Sequence, residues 1–235
     1  QSEHRQIGPA DFERMQLSIE FDLVAKEARG KAVIELVTLD NEYPYFVMTP
    51  EVSRATIDGV PVKILSMKDP DNVTDIKVVD AMLAPKSSHV LELEYVMPAD
   101  EVSFQGGGVG FITAMKDINH GNFFEAYGPA NHEADQFQMT LELSILEERG
   151  GALPHRLLTN GTVLPAERAN HWTIEFPAYF DTSSFYVHLT NAQLTVYKTV
   201  HHGVARDIPI TIYSRDDLLA DLAMVDRRLD RLSSS

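Results

Sequence analysis

Residues Met15–Leu23 read MQLSIEFDL, and every second one is apolar. In an extended chain Met15, Leu17, Ile19, Phe21 and Leu23 share one face, whereas a helix would spread them around its circumference. The same period of two recurs in Val90–Tyr95 (VLELEY) and Met139–Ile145 (MTLELSI). Such segments fold as half-buried strands or not at all. Shorter runs of the same kind cover Lys31–Leu39, Tyr45–Met48, Val52–Ile57, Val60–Leu65, Asp75–Val79, Phe137–Ile145, His155–Leu158, Trp172–Phe176, Phe185–Leu189, Ala192–Val200 and Ile208–Tyr213. Gly, Pro, Asn and Asp punctuate them. Gly30 is expected at the turn between the first two strands, and Asp58-Gly59 reads as a hairpin turn. Gln1–Asp11 reads as a loose polar lead-in. No strand alternates with a helical pattern, so a parallel α/β sheet is excluded. The pattern predicts an all-β chain, an antiparallel β-sandwich of many short strands spanning 1–213.

The end changes character. Arg215–Leu232 (RDDLLADLAMVDRRLDRL) spaces Leu218, Leu222, Val225 and Leu229 at helical intervals. Ser214 is a candidate N-cap, with Asp216 and Asp217 in the first turn and Arg227, Arg228 and Arg231 near the end. The expectation is one C-terminal amphipathic helix over 214–235, either packed on the chain's own sheet or starting a further domain.

Composition narrows function. The 235 residues are 44% hydrophobic, enough for a packed core. The net charge of −15 repels a phosphate backbone, which sets nucleic-acid binding aside. It suits solubility and equally suits attraction of cationic ligands such as peptide N-termini. With no cysteine there are no disulfides, thiolate metal sites or cysteine nucleophiles. That leaves both a bacterial-type cytoplasm and a cell envelope open as compartments. No apolar run reaches the ~20 residues that span a bilayer, and no signal segment opens the chain. Gln1 in place of Met is expected from a removed start or a piece of a longer chain, and Ser233–Ser235 reads as a similar edge.

Most chemical motifs dissolve on inspection. Gly106-Gly107-Gly108 precedes a strand and no Lys-Ser/Thr, so it reads as a sheet-edge loop rather than a phosphate cradle. His132-Glu133 has Gln136 where a second His would be needed, and Asn131–Gln136 reads as solvated loop. His201-His202 reads as a loop pair, not a metal site. Ser183-Ser184 lacks a nucleophile-elbow context. Asn160-Gly161-Thr162 fits a glycosylation sequon, and Trp172 reads as core.

An ordered set of landmarks carries more. Gly110-Phe111, a polar hairpin around Asn119–Asn122 and Phe124-Glu125-Ala126 resemble a "GFY…Q-F/C-E-A" segment. Met139–Ile145 is similar to the strand that follows it, and Leu158-Thr159-Asn160-Gly161 to an "L-S-N-G" turn. Phe176–Leu189 (FPAYFDTSSFYVHL) resembles "F-x-x-T-P-x-M-S-T-Y-L", and Ile208–Arg215 resembles a strand leading into a catalytic domain. In this order they resemble the N-terminal β-domain of the zinc aminopeptidases, the family of aminopeptidase N and leukotriene hydrolase. Tyr127–Gln138 lacks that family's Arg, Phe-Pro and final Pro, the mark of a divergent branch.

The resemblance implies a saddle-shaped β-sandwich packed on a thermolysin-like domain of the same polypeptide. That domain would hold zinc through H-E-x-x-H and a downstream Glu. Neither motif is in this chain, so the fragment alone is expected to bind no metal and to be inactive. The resemblance further implies one substrate-binding residue here, Glu125, whose carboxylate would accept hydrogen bonds from a peptide's free α-ammonium. A second reading is a stand-alone binding or scaffold module without peptidase activity.

Overall fold

The computed structural model describes residues 7–40, 42–68, 75–97, 100–113, 123–131, 135–146, 154–166, 168–203 and 206–214. Among the described residues eighteen strands follow in chain order. They are β1 (Ile7–Pro9), β2 (Asp11–Asp22), β3 (Glu27–Val37), β4 (Tyr43–Val47), β5 (Val52–Ile57), β6 (Val60–Pro61), β7 (Ile64–Lys68), β8 (Asp75–Val79), β9 (Ser88–Val96), β10 (Ser103–Gln105), β11 (Gly108–Thr113), β12 (Gln138–Leu146), β13 (Arg156–Thr159), β14 (Thr162–Val163), β15 (His171–Phe176), β16 (Val187–Thr190), β17 (Thr195–His202) and β18 (Asp207–Ser214). Among the described residues the helical content is one 3-10 turn, Phe124–Ala126. The amphipathic helix expected over 214–235, like the hairpin around Asn119–Asn122, lies outside the described residues. No helix among the described residues is long and apolar enough to cross a membrane.

The chain divides into two compact units, Gln1–Asn191 and Ala192–Ser235. In the first, eight strands form a large sheet in the order β14-β15-β12-β2-β3-β9-β5-β6. Two four-stranded sheets, β1-β4-β8-β7 and β10-β11-β16-β13, complete it. The alternation read from the sequence explains the packing. Met15, Leu17, Ile19 and Phe21 of β2, Leu91, Leu93 and Tyr95 of β9, and Met139, Leu141 and Leu143 of β12 are all buried. They form one core with Phe46 of β4, Val79 of β8, Phe111 of β11 and Leu189 of β16. Rings tie the layers together: Phe21 lies 5.4 Å from Phe111, and Phe185 lies 4.9 Å from Phe176 and 5.7 Å from Phe137. Each such ring removes enough apolar surface from water to contribute roughly 1.5–3 kcal/mol. In the second unit, β17 and β18 pair as an antiparallel hairpin.

Several expectations are corrected. Two of the sheets are mixed, not antiparallel: β2 and β12 run parallel over Arg14–Asp22 against Gln138–Leu146, and β1 runs parallel to β4. Ile7–Pro9 is a strand rather than loose lead-in. Gly30 is not a turn residue; it lies within β3 opposite Ile19 and Tyr95. An added Cβ would come within 2.1 Å of the Tyr95 ring, so close approach explains the glycine. The turn falls earlier, where Asp22 Oδ1 accepts from the backbone N–H groups of Val24 and Ala25 and Lys26 takes φ 52°. Val60–Leu65 is two strands in two sheets. Pro61 lacks an N–H, so the ladder of the large sheet ends there. Asp58-Gly59 turns as expected, with φ 51° and 78°.

Candidate functional site

Glu125 sits in the middle of the 3-10 turn, on a segment that closes against the core at both ends. Phe124 and Tyr127 are the anchors. Phe124 is buried with its ring 5.2 Å from Phe185, and Tyr127 is fully buried and meets Phe111 edge-on at 4.7 Å. The Tyr95 hydroxyl donates to the Tyr127 carbonyl at 2.7 Å. Burial, and then the carboxyl of Glu101, push the Tyr127 phenol far above its ordinary value. Gly128 fits where an added Cβ would press on Leu17 and Phe124 at 3.1 and 3.3 Å. The backbone is held from β4: Val47 and Ala130 exchange both hydrogen bonds, and the Thr49 N–H donates to the Glu125 carbonyl at 2.8 Å. The Glu125 side chain is 7% exposed. A carboxylate in such low-dielectric surroundings binds a cation far more strongly than one in water.

Further along the segment, Asn131 is buried rather than solvated as expected, and donates to Asp135. His132-Glu133 lies outside the described residues. Asp135 also accepts from the Phe12 N–H at 3.3 Å and faces the carboxyl of Asp11. Burial first, then Asp11, push Asp135 up to about 6. Sequence reasoning missed this pair because 124 residues separate its members. Only the parallel register brings them together: Arg14 opposite Gln138, carried three residues back, sets Asp11 opposite Asp135.

The remaining candidates resolve into structure. His201 and His202 are on β17, not in a loop; they face Ile208 and Asp207, and His202 Nδ1 lies 2.9 Å from Asp207. Asn160 donates to the Ser184 carbonyl at 2.8 Å and accepts from the Tyr186 N–H at 2.9 Å, so its amide ties a turn. Ser183 and Ser184 donate their hydroxyls to Asp181. Burial would raise that carboxyl, and the hydrogen bonds outweigh it and hold it low. Gly106 and Gly107 take φ 61° and 74° in the tight loop between β10 and β11. Trp172 packs against the core.

A Ser-His-Asp chain exists that the sequence did not announce. Ser87 Oγ lies 2.7 Å from His89 Nε2, and His89 Nδ1 lies 2.6 Å from Asp58. The distances match a nucleophile, base and orienting carboxylate. The hydroxyl has one proton, however, and the Ala84 carbonyl beside it can only accept. A proton given to that carbonyl is not available to His89, and the chain of contacts joins β9 to the turn at Asp58.

A groove of about 610 Å³ crosses the outer face of the large sheet. Glu20, Glu94 and Glu142 line it with Arg29, Lys31 and Arg168. Glu125 is not among the residues that line this groove. Among the described residues no group of three or more His, Asp or Glu side chains is placed to hold a metal ion.

No family model and no curated protein sequence matches the chain. Solved structures do. Native yeast leukotriene A4 hydrolase superposes with a TM-score of 0.61 at 10% identity, over 95% of this chain and 34% of its own. An M1 zinc metallopeptidase from Deinococcus radiodurans gives 0.55 at 15% identity, over 89% of this chain and 47% of its own. A two-domain M1 zinc metallopeptidase bound to L-tryptophan gives 0.55 at 12%, over 88% and 48%. The chain thus spans about a third to a half of the proteins it matches, and its fold is that of the N-terminal portion of M1 zinc metallopeptidases.

Proposed function

We propose that this chain is the non-catalytic N-terminal domain of a zinc aminopeptidase-like protein, with residues 214–235 beginning the next domain. It caps the active site, and Glu125 accepts hydrogen bonds from the α-ammonium of the bound peptide. The observation that carries the reading is the pinned segment around Glu125, set within a fold that matches leukotriene A4 hydrolase and M1 zinc metallopeptidases over 88–95% of its length. A capping domain must hold its one ligand-binding carboxylate rigidly, and anchors at Thr49, Val47, Tyr95 and Phe185 do that. The metal that activates water would come from outside the described residues.

A second reading, a stand-alone β-sandwich binding module, draws on the burial of Glu125 within the chain itself. A carboxylate so covered has to be uncovered before a substrate can meet it. The two readings separate on the intact polypeptide that contains this chain. Hydrolysis of amino-acid anilides that a zinc chelator abolishes and added zinc restores supports the capping domain. An intact protein that holds no zinc and releases no amino acid is the binding module.

A further inference from the structure

The four-stranded sheet β1-β4-β8-β7 has two unlike faces. Residues paired across strands share a face, so the register sorts them. On one face Phe46 stands beside Lys77, and Val79 beside Ile64. Phe46 and Val79 join the core there, and the buried Lys77 Nζ donates to Glu51 and Ser66 at 2.9 Å each. On the other face Pro9, Tyr45, Val78 and Leu65 form one row across all four strands. Val47, Ile76 and Met67 form the next row, and Ile7 stands beside Tyr43. No side chain in these rows is charged, although 23% of the chain is.

This second face meets water. Met67 is 46% exposed and Leu65 37%, while Tyr43, Tyr45, Val47 and Ile76 are half-buried. Val78 is buried yet stands outside the core that its neighbour Val79 joins. The outer face of the large sheet is the contrast, with Ser18, Glu20, Arg29, Lys31 and Glu94 along its groove. A contiguous apolar patch on a protein surface marks a contact site. Tyr and Met without charged neighbours are the composition of an interface centre.

Three observations choose the occupant. Strand β4 runs through the face and also holds the segment that carries Glu125: Val47 and Ala130 exchange hydrogen bonds, and the Thr49 N–H donates to the Glu125 carbonyl. A body seated on the face therefore lies next to that segment. A second copy is disfavoured by charge, because each chain carries −15 and like charges repel. Finally, this chain fills only 34–48% of the solved structures that share its fold, so a further body belongs to each of them.

We propose that the outer face of the β1-β4-β8-β7 sheet, centred on Tyr45 and Val78, is the seat of the domain that follows this chain in the intact polypeptide. The proposal rests on the capping-domain reading in requiring that such a domain exists.

The test uses the intact polypeptide with Met67→Cys and, separately, with Lys31→Cys on the outer face of the large sheet. Both positions are exposed in this chain, and the chain itself has no cysteine. Labelling of each new thiol by a small maleimide is timed by peptide mass. The covered thiol at position 67 must wait for the domains to part, so it is expected to react at least about tenfold more slowly than the one at position 31. Leu65→Cys is expected to be slow as well. Equal rates at positions 67 and 31, or a fast thiol at position 65, overturn the proposal. Protection that is lost on dilution also overturns it, because a second copy is then the cover. Zinc content and anilide hydrolysis of the same samples read the functional question separately. Slow thiols in a zinc-free, inactive protein keep the docking face and end the aminopeptidase reading. Fast thiols in an active zinc enzyme do the reverse.

Discussion

Replacing Gly30 by Ala is a severe change at a site where the sequence suggests a mild one. The added Cβ would lie 2.1 and 2.2 Å from Cζ and Cε2 of Tyr95 and 2.5 Å from its hydroxyl. The ring has nowhere to go, because it is buried and its hydroxyl is tied to the Tyr127 carbonyl at 2.7 Å. Overpacking of this kind costs about 1–3 kcal/mol. Breaking the buried hydrogen bond adds about 1–3 kcal/mol. The smaller entropy of an unfolded alanine returns ~0.4–1 kcal/mol. The net expectation is a loss of about 1–5.5 kcal/mol, read as a lower urea midpoint at unchanged slope by fluorescence of Trp172, the one tryptophan. Tyr95→Leu is destabilising by itself, by about 2–4 kcal/mol, but it removes the clash. Gly30→Ala should then cost little in that background, a coupling of at least ~1 kcal/mol in the double-mutant cycle. A Gly30→Ala variant as stable as the parent, or more so, would refute the packing argument and restore Gly30 as an ordinary flexible residue.

Other outcomes follow from the same structure. Asp135 is raised to about 6, so the fold favours its neutral form. That contribution is complete below the ordinary carboxylate range and is lost as pH rises through about 6. Asp135→Asn should therefore gain stability over the parent as pH goes from 4 to 7, by about 1 kcal/mol after screening, in parallel urea titrations. Asp58 is held low by His89 and then by the Val90 N–H. Its contribution is present above the ordinary carboxylate range and lost as pH falls through the lowered value. His89→Ala should accordingly move Asp58 upward in an NMR titration and destabilise the protein at pH 7 but not at pH 2. Asn160→Ala removes the exposed hydrogen bonds to the Tyr186 N–H and the Ser184 carbonyl and should cost about 0.5–1.5 kcal/mol, seen as a lowered melting temperature.

Strand positions were legible wherever one face meets the core and the other meets water. Met15–Phe21 of β2 and Met139–Ile145 of β12 fall at the residues their alternation marks. The turn at Asp58-Gly59 was legible because positive φ selects those residues. Gly30 misled for a physical reason: a glycine can mark a turn or a close approach, and only the partner 65 residues away, Tyr95, distinguishes them. Parallel pairing of β2 with β12 left no local trace, since both strands carry the same alternation that an antiparallel pair would. The surroundings of Glu125 were invisible for the same reason. Thr49, Val47, Tyr95 and Phe185 reach it only after three sheets have assembled. Asn131 read as solvated because a polar residue at the head of a polar run gives no sign of a buried carboxyl partner.

The most direct test of the account is the kinetics of Glu125→Ala and Glu125→Gln in the intact polypeptide, on substrates with a free and with an acetylated N-terminus. If Glu125 binds the α-ammonium, the loss of one charge-assisted hydrogen bond lowers kcat/KM for free-amine substrates about 10- to 150-fold. Acetylated substrates, slow in every variant, lose nothing further, and Gln retains more activity than Ala. Equal losses on both substrates, or no loss on either, would contradict the role given to Glu125.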